Sequence, residues 1–500
     1  MGSTIKSIQL ELKNPDLYRD QAHVNGQWIE AKSKKRFEII DPGTGENWAT
    51  CSDMAAEDVD DAVQAAHQAF KNYRTLTPRQ RGDLLFKWDS LIRENEDDIA
   101  KILVYETGKP LAEAYGEIQY ATSFTRWFAA EAERIQGTVF QPAVAGRRIF
   151  TVKQPIGVAA ALVPWNFPIA MILRKASAAL AAGCTMIAKP SPETPLTALT
   201  LAYLAQQAGF ENGVFSVLPT TLANTPALSE ALCKHELVKK ISFTGSTRVG
   251  KLISQHCAGG LKKLTLELGG NCPFLVFDDA NLDQACEALM SLKFRHAGQA
   301  CITANRVYVQ RGVYDQFADV LVARVKQLRV GHGMDDKTTM GPLTVPAGVE
   351  KATRQVEDAK KHGAAVLTGG SKMDKLGGYY FEPTIIKNAR PGMLITSEES
   401  FAPLLALYPF DTEDEAVQEA NNTSMGLSSY FFTKNVDRTW RLLENLEAGM
   451  VGMNTGNASA TEAPFGGIKD SGYGKESGKD VAVQEYLITK TGTLTVEDHY

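Results

Sequence analysis

Residues 155–190 read PIGVAAALVPWNFPIAMILRKASAALAAGCTMIAKP. A short apolar run (PIGVAAALVP) gives way to a helical pattern (AMILRKASAALAAG), and a second apolar run (TMIAKP) follows. The alternation continues through helical TPLTALTLAYLAQQAG, the run GVFSVLP, helical NTPALSEALCKH, the run VKKISFTG and helical RVGKLISQHCAG. Strands that are apolar throughout, instead of alternating, are covered on both faces, and helices between them make parallel connections. The expectation is a doubly wound α/β sheet, which binds ligands at the carboxyl ends of its strands. A second α/β series opens near residue 272 with PFLVF, LDQACEALMSLKF, RVYVQ and YDQFADVLVARVKQL, and turn- and strand-rich sequence runs on to about 470. Upstream, three stretches within 57–137 carry apolar residues at i, i+3, i+4 spacing and read as helices. The polar first ~35 residues are expected at the surface. Two α/β domains with a cleft between them follow from this pattern.

Composition narrows the function classes. With 44% hydrophobic and 22% charged residues over 500 positions, a packed core is assured, and the length suggests two to four domains of about 150 residues each. A net charge of -5 and a pI near 6.0 supply no basic field for nucleic acid. The N-terminal MGSTIKSIQLELKN has no signal-peptide core, Lys6 stands where a myristoylation pattern needs Ser or Thr, and the C-terminal EDHY is not an organelle address. No apolar window reaches membrane-spanning length, so no membrane partner and a cytoplasmic location are expected. Seven cysteines, an odd number without C-x-x-C, fit reduced thiols, and eight histidines without H-x-x-x-H or H-E-x-x-H suggest no metal site.

Three local features carry chemistry. First, G-x-G-x-x-G is absent, and the best phosphate-binding candidate is the turn Gly245-Ser246-Thr247-Arg248-Val249-Gly250-Lys251 after VKKISFTG. Such a turn exposes backbone N–H groups to an anion, but an ordinary loop needing glycine for its geometry fits equally well. The stretch fails as a P-loop at Leu252, where a magnesium-binding hydroxyl belongs. Second, Leu266-Glu267-Leu268-Gly269-Gly270-Asn271 sets a carboxylate between leucines at a strand end, where desolvation raises its pKa and suits it to act as a base. A buried, salt-bridged glutamate is the bland alternative. Third, Cys301 follows a Gly298-Gln299 turn with Arg295 and His296 near it in sequence, a setting for an activated thiolate; an inert half-buried thiol is its alternative. His296 is assigned no catalytic role.

Together and in this order the segments resemble the aldehyde dehydrogenase superfamily, from about residue 24 to 490. Val163-Pro164-Trp165-Asn166-Phe167-Pro168 resembles its oxyanion motif, Lys189-Pro190-Ser191 its adenosine-ribose motif, and FTGSTRVG its pyrophosphate loop. ELGG and GQAC resemble the base and nucleophile motifs. Glu399-Ser400-Phe401-Ala402-Pro403 resembles the nicotinamide-ribose motif with Ala402 in place of the usual Gly, while Asn454 and PFGGIKDSGYG resemble a family turn and the closing segment. The resemblance implies a Rossmann-type cofactor domain (1–141 with 157–266), an α/β catalytic domain (267–470) and a small oligomerisation strand element (142–156 with 471–500). It also implies a homodimer or homotetramer. Cys301 would be the nucleophile, Glu267 the general base and Asn166 the oxyanion donor. Trp165, Lys189, Ser191, Gly245, Ser246, Gly250, Glu399 and Phe401 would bind the cofactor.

Within the family the chain resembles succinate-semialdehyde dehydrogenases, in which two arginines and a serine hold the distal carboxylate; here these would be Arg174, Arg295 and Ser459, with Ala460 a competing alignment for the serine. Guanidinium groups suit a carboxylate. Glutarate semialdehyde, broad-range aldehydes or a non-catalytic relative of the fold are the alternatives. Thr303 stands where such enzymes often carry a second cysteine, so that redox switch is expected to be missing. Pro192 replaces the Glu that many NAD-preferring relatives carry, which favours NADP, whereas Glu193 next to it favours NAD.

Overall fold

In the computed structural model, which describes residues 10–497, the first series forms the parallel strands Val158–Leu162, Thr185–Lys189, Phe215–Val217, Val238–Thr244 and Lys263–Glu267. Across the sheet they lie in the order third, second, first, fourth, fifth. Winding therefore reverses between Val158–Leu162 and Val238–Thr244, leaving a crevice at their carboxyl ends. Helices α1 (Val59–Tyr73), α2 (Pro78–Glu94), α3 (Glu96–Thr107), α4 (Leu111–Glu131), α5 (Pro168–Ala182), α6 (Pro195–Ala208), α7 (Thr225–Lys234) and α8 (Thr247–Ala258) accompany this sheet. Proline opens α5, α6 and α7, where a missing N–H is harmless, and left-handed Gly183 and Gly209 close α5 and α6. One core holds Trp88, Phe124 and Leu180; another holds Val63, Leu232 and Ile253.

Three expectations change. The polar N-terminal region is not all surface: Ala22–Val24 and Gln27–Ile29 form an antiparallel hairpin on the edge of the first sheet, with Leu17, Ala22 and His23 buried. The helical stretch ahead of Gly108 is two helices, because Asn95 turns its side chain back onto Leu91 O at 2.8 Å and ends α2. The segment after 470 is not solely an oligomerisation element. Gly472–Tyr473 pairs with Leu266 and Glu267 on the first sheet, and Ala482, Val483 and Tyr486 join its core. Only Leu487–Thr495 pairs with Arg147–Pro155, which pairs in turn with Val139–Phe140. The myristoylation and C-terminal address readings fall outside the described residues.

The second series builds a sheet in the order 365–368, 384–387, 404–410, 304–310, 272–276, 428–432, 450–453, parallel except at its first edge. It has its own core and is flanked by α9 (Leu282–Lys293). Among the described residues no helix is long and apolar enough to cross a membrane.

One buried tether fixes the loop after Thr185–Lys189. Glu106, at the end of α3, accepts from Leu196 N at 2.6 Å and Thr197 N at 2.9 Å, satisfying the first turn of α6 from across the fold. Replacing Glu106 with Ala leaves those amides unpaired in the interior, at an expected cost of about 1–3 kcal/mol. Calorimetry should show a thermal midpoint several degrees lower for Glu106→Ala and a smaller loss for Glu106→Gln; equal midpoints for the wild type and the Ala variant would refute the tether.

Candidate active site

The strand ends bring the proposed residues to one rim. Leu162 pairs with Lys189 and with Phe243, and Thr244 pairs with Glu267, so the loops after these strands leave the sheet side by side. Asn166 sits in the loop between Val158–Leu162 and α5. Cys301 arrives from the second body through the turn after α9. Cys301, Asn166, Phe167, Arg174, Arg295 and Ser459 line one cavity of about 350 Å³.

Glu267 is 1% exposed and forms an ion pair with Arg174 Nη2. Burial pushes its carboxyl up to about 8, with Arg174 opposing. The glutamate is therefore both buried and salt-bridged, yet suited to act as a base near neutrality. Cys301 is half-buried, and its electrostatic surroundings come largely from segments distant in sequence. Burial, with the carboxylates of Glu267 and Glu399, pushes its thiol up, and Arg174 only partly offsets them. His296 supplies no counter-charge: its ring is buried, burial holds it well below the ordinary histidine range, and neither ring nitrogen has a hydrogen-bond partner among the described residues. The thiol therefore needs a base to ionise it. Asn166 Nδ2 donates one hydrogen bond to Gln299 O at 2.8 Å, which ties the amide to the nucleophile turn.

The two arginines are not equivalent. Arg174 is no surface helix charge: it is 1% exposed on α5, with Nη2 on Glu267 and Nε 3.1 Å from Glu476 Oε2. Arg295 is exposed, lies over the Phe167 ring at 5.4 Å, and makes no ion pair or hydrogen bond among the described residues. Ser459 lines the cavity and Ala460 does not; the Ser459 hydroxyl is 2.5 Å from Tyr120 Oη. Thr303 is buried and donates to Leu292 O at 3.0 Å.

At the cofactor side, the glycines of 245–250 serve packing. Gly245 N is engaged by Glu267 O at 3.0 Å, and a Cβ on Gly250 would stand 2.4 Å from the Leu268 side chain. Ser246 caps α8 by accepting from Val249 N, and the first turn of a helix is where backbone N–H groups can meet an anion. Lys189 is 5% exposed, and burial pulls its ammonium down to about 8 against the charge of Glu193. Ser191 Oγ donates to Glu193. Glu399 accepts from Gly270 N at 3.2 Å, and burial pushes its carboxyl up to about 7. Phe401, at φ 52°, turns its ring edge-on to Trp165 at 5.5 Å. A buried cation, a helix N-terminus and a half-buried carboxyl suit a dinucleotide.

Sequence reasoning missed Lys175 and Glu476. Glu476 accepts from Lys175 and Arg174, while Lys175 Nζ donates to Ser242 Oγ at 3.0 Å and Thr244 Oγ1 at 2.8 Å. Thr244 Oγ1 in turn lies 3.3 Å from Glu267 Oε2. The ring of contacts holds two carboxylates and two cations, all buried. Lys175 adjoins Arg174 in sequence and could have been suspected; Glu476, in a glycine-rich segment, carried no signal.

The aldehyde dehydrogenase family profile matches residues 28–492. A Schizosaccharomyces pombe protein named succinate-semialdehyde dehydrogenase [NADP(+)] 1 is 46% identical, covering 99% of both chains. A Pseudomonas putida glutarate-semialdehyde dehydrogenase is 46% identical over 97% of this chain and 100% of its own. The crystal structure of a Burkholderia pseudomallei succinate-semialdehyde dehydrogenase superposes with a TM-score of 0.95 at 45% identity, covering 97% of this chain and 100% of that one. With motifs, fold and site geometry in agreement, this chain belongs to the aldehyde dehydrogenase family.

Proposed function

We propose that the chain oxidises succinate semialdehyde to succinate with NADP+ or NAD+ through a thioester on Cys301. The observation that carries this reading is the single cavity in which the Cys301 thiol, the Asn166 amide and the unpaired guanidinium of Arg295 meet. The named relatives support the same class of semialdehyde. Glu267 takes the thiol proton, and the sulfur forms a bond to the aldehyde carbon while the carbonyl electron pair moves onto oxygen. That oxyanion is met by Asn166 Nδ2 and the Cys301 backbone N–H; one such donor lowers a barrier by about 2.7–4 kcal/mol. Hydride acceptance from the thiohemiacetal carbon is the chemistry a nicotinamide supplies when bound. Glu267 gives the thiol proton up to solvent and, ionised again, takes a proton from the water that attacks the thioester; the C–S bond breaks, the acid leaves and that proton passes back to the Cys301 thiolate.

Arg295 is the primary anchor for the distal carboxylate. Arg174 can add only its Nη1, since Nε and Nη2 are engaged, and Ser459 adds a hydroxyl oriented by Tyr120. Lys189 and Ser191 would hold the adenosine ribose, the first turn of α8 (Ser246 to Gly250) the pyrophosphate, and Glu399 with Phe401 and Trp165 the nicotinamide end. Pro192 removes one carboxylate from the ribose site and favours NADP+. A 2′-phosphate would have to take Ser191 and Lys189 from Glu193. Exposed Phe150, Val152, Ile488 and Leu494 on the three-stranded sheet support a homo-oligomer, dimer or tetramer. Seven free thiols support a reducing, cytoplasmic setting. Glutarate semialdehyde is the second reading, favoured by a cavity of about 350 Å³ with room for a further methylene.

Two outcomes are expected. In initial-rate assays kcat/KM should favour succinate semialdehyde over butyraldehyde by about 100-fold or more, equivalent to about 2.7 kcal/mol. Arg295→Leu should remove most of that preference through KM, and equal rates for the two aldehydes in the wild type would sink the carboxylate anchor. Because Glu267 is a base only when ionised and its carboxyl is raised to about 8, turnover should climb with pH through that value and level above it. Glu267→Gln should slow turnover by roughly 10²–10⁴-fold and abolish the climb; a flat wild-type profile would remove Glu267 from the base role.

A further inference from the structure

His296, Ala297 and Gly298 stand in succession at φ 48°, 50° and 76°, directly ahead of Gln299-Ala300-Cys301. Left-handed backbone at residues other than glycine is strained and survives only where the surroundings over-determine it. The unpartnered His296 ring contributes little; it stands edge-on to Trp165 and Phe167 at 6.1 and 5.7 Å. The turn is held by its backbone. Glu113 Oε2 accepts from His296 N at 2.7 Å, and Gln299 Nε2 donates to His296 O at 3.0 Å. Gln299 is itself fixed, with Oε1 accepting from Thr344 N at 2.9 Å and its carbonyl accepting from Asn166 Nδ2 at 2.8 Å. Gly298 slots against Ala402, whose carbonyl oxygen would lie 2.2 Å from any Cβ there.

Glu113 belongs to a row on one side of α4 and the residues just before it. Lys109 Nζ donates to Asn166 O at 2.9 Å and pairs with Glu117. Glu117 Oε1 accepts from Ile169 N at 2.9 Å and Ala170 N at 3.3 Å in the first turn of α5. Tyr120 meets Ser459. Glu113, Glu117 and Tyr120, at spacings of four and three residues, share a face of α4, Lys109 joins them from just ahead of the helix, and each grips a different part of the site.

We propose that Glu113 is a positioning residue: by holding the strained turn 296–298 to the same helix face that holds the Asn166 loop, it sets the Cys301 sulfur against the oxyanion donor. The kinetic side of this inference rests on the reaction proposed above. Neither Glu113 carboxylate oxygen is given a bond-making or proton-moving part in that reaction. A displacement of about 1 Å in such an assembly costs up to 10²-fold in rate.

The test uses the full-length protein with Glu113→Ala, Glu113→Gln and Glu113→Asp. It reads kcat and KM for succinate semialdehyde, the rate of Cys301 alkylation by iodoacetamide located by mass spectrometry, and the thermal midpoint. Glu113→Ala should lower kcat by about tenfold or more, leave KM within a few-fold, and slow alkylation several-fold. Glu113→Gln, whose amide oxygen still accepts from His296 N, should recover most of both rates. If the Ala variant does not fold, Glu113→Asp, one methylene too short, should show the same loss relative to Gln. Equal losses in Gln and Ala (or Gln and Asp), or wild-type kcat and alkylation in Ala, would overturn the proposal. A wild type inactive on every aldehyde would instead refute the reaction, while the alkylation rates would still decide the role of Glu113.

Discussion

The ion pair between Arg174 and Glu267 is the constraint around which the first body is organised. A carboxylate 1% exposed cannot stay in the interior unaccompanied. Its partner comes from α5, and the surplus positive charge of Arg174 and Lys175 is balanced by Glu476 from the far end of the chain. Three separate segments must therefore converge on the ends of Val238–Thr244 and Lys263–Glu267. This accounts for the return of residues 472–487 to the first sheet before the chain leaves for its last strand. The same desolvation that makes the pair demanding raises the Glu267 carboxyl to about 8. Structural need and basicity thus share one cause.

What could be read from the sequence follows the length scale of each signal. Four of the five parallel strands of the first sheet announce themselves as short, mainly apolar runs covered on both faces, and proline and glycine punctuate the helices between them; the fifth, KLTLE, mixes polar with apolar residues. The hairpin at 22–29 was hidden because three-residue strands carry no periodicity and its residues mix polar with apolar. Cys301, Glu267 and Asn166 were legible as motifs, and so was the desolvation that raises Glu267, but the surroundings of the Cys301 thiol were not. Arg295 and His296 adjoin Cys301 in sequence, yet burial first, and then Glu267, Glu399 and Arg174 from distant segments, set the thiol. The charged stripe Lys109, Glu113 and Glu117 drew no reading from the sequence, since charges spaced by four usually mark a face turned to water. Only packing shows that this stripe faces inward.

The arginines illustrate how burial divides roles that sequence leaves equal. Both sit near the nucleophile and both suit a carboxylate. Arg174 is committed to two internal anions, so a substrate carboxylate there would compete with Glu267 for the same guanidinium. Arg295 has an aromatic face beneath it and no anion attached. An incoming carboxylate gains most where the cation is unpaired and the geometry is already held, which makes Arg295 the anchor and Arg174 an auxiliary in the proposed reaction.

That division has a consequence for catalysis. If a distal carboxylate draws Arg174 even partly toward itself, Glu267 loses the cation that opposes its raised pKa, and its proton affinity increases. At a pH above that raised value, where the carboxylate is still ionised, the base would be stronger while the substrate is bound and the thiol proton must move, and weaker again once the acid has left and Arg174 has closed back onto it. Aldehydes without a distal charge would leave the ion pair undisturbed. Discrimination in the proposed reaction would then reside partly in the activation of Cys301 and not only in binding, with the buried pair coupling the two ends of the substrate through a single guanidinium.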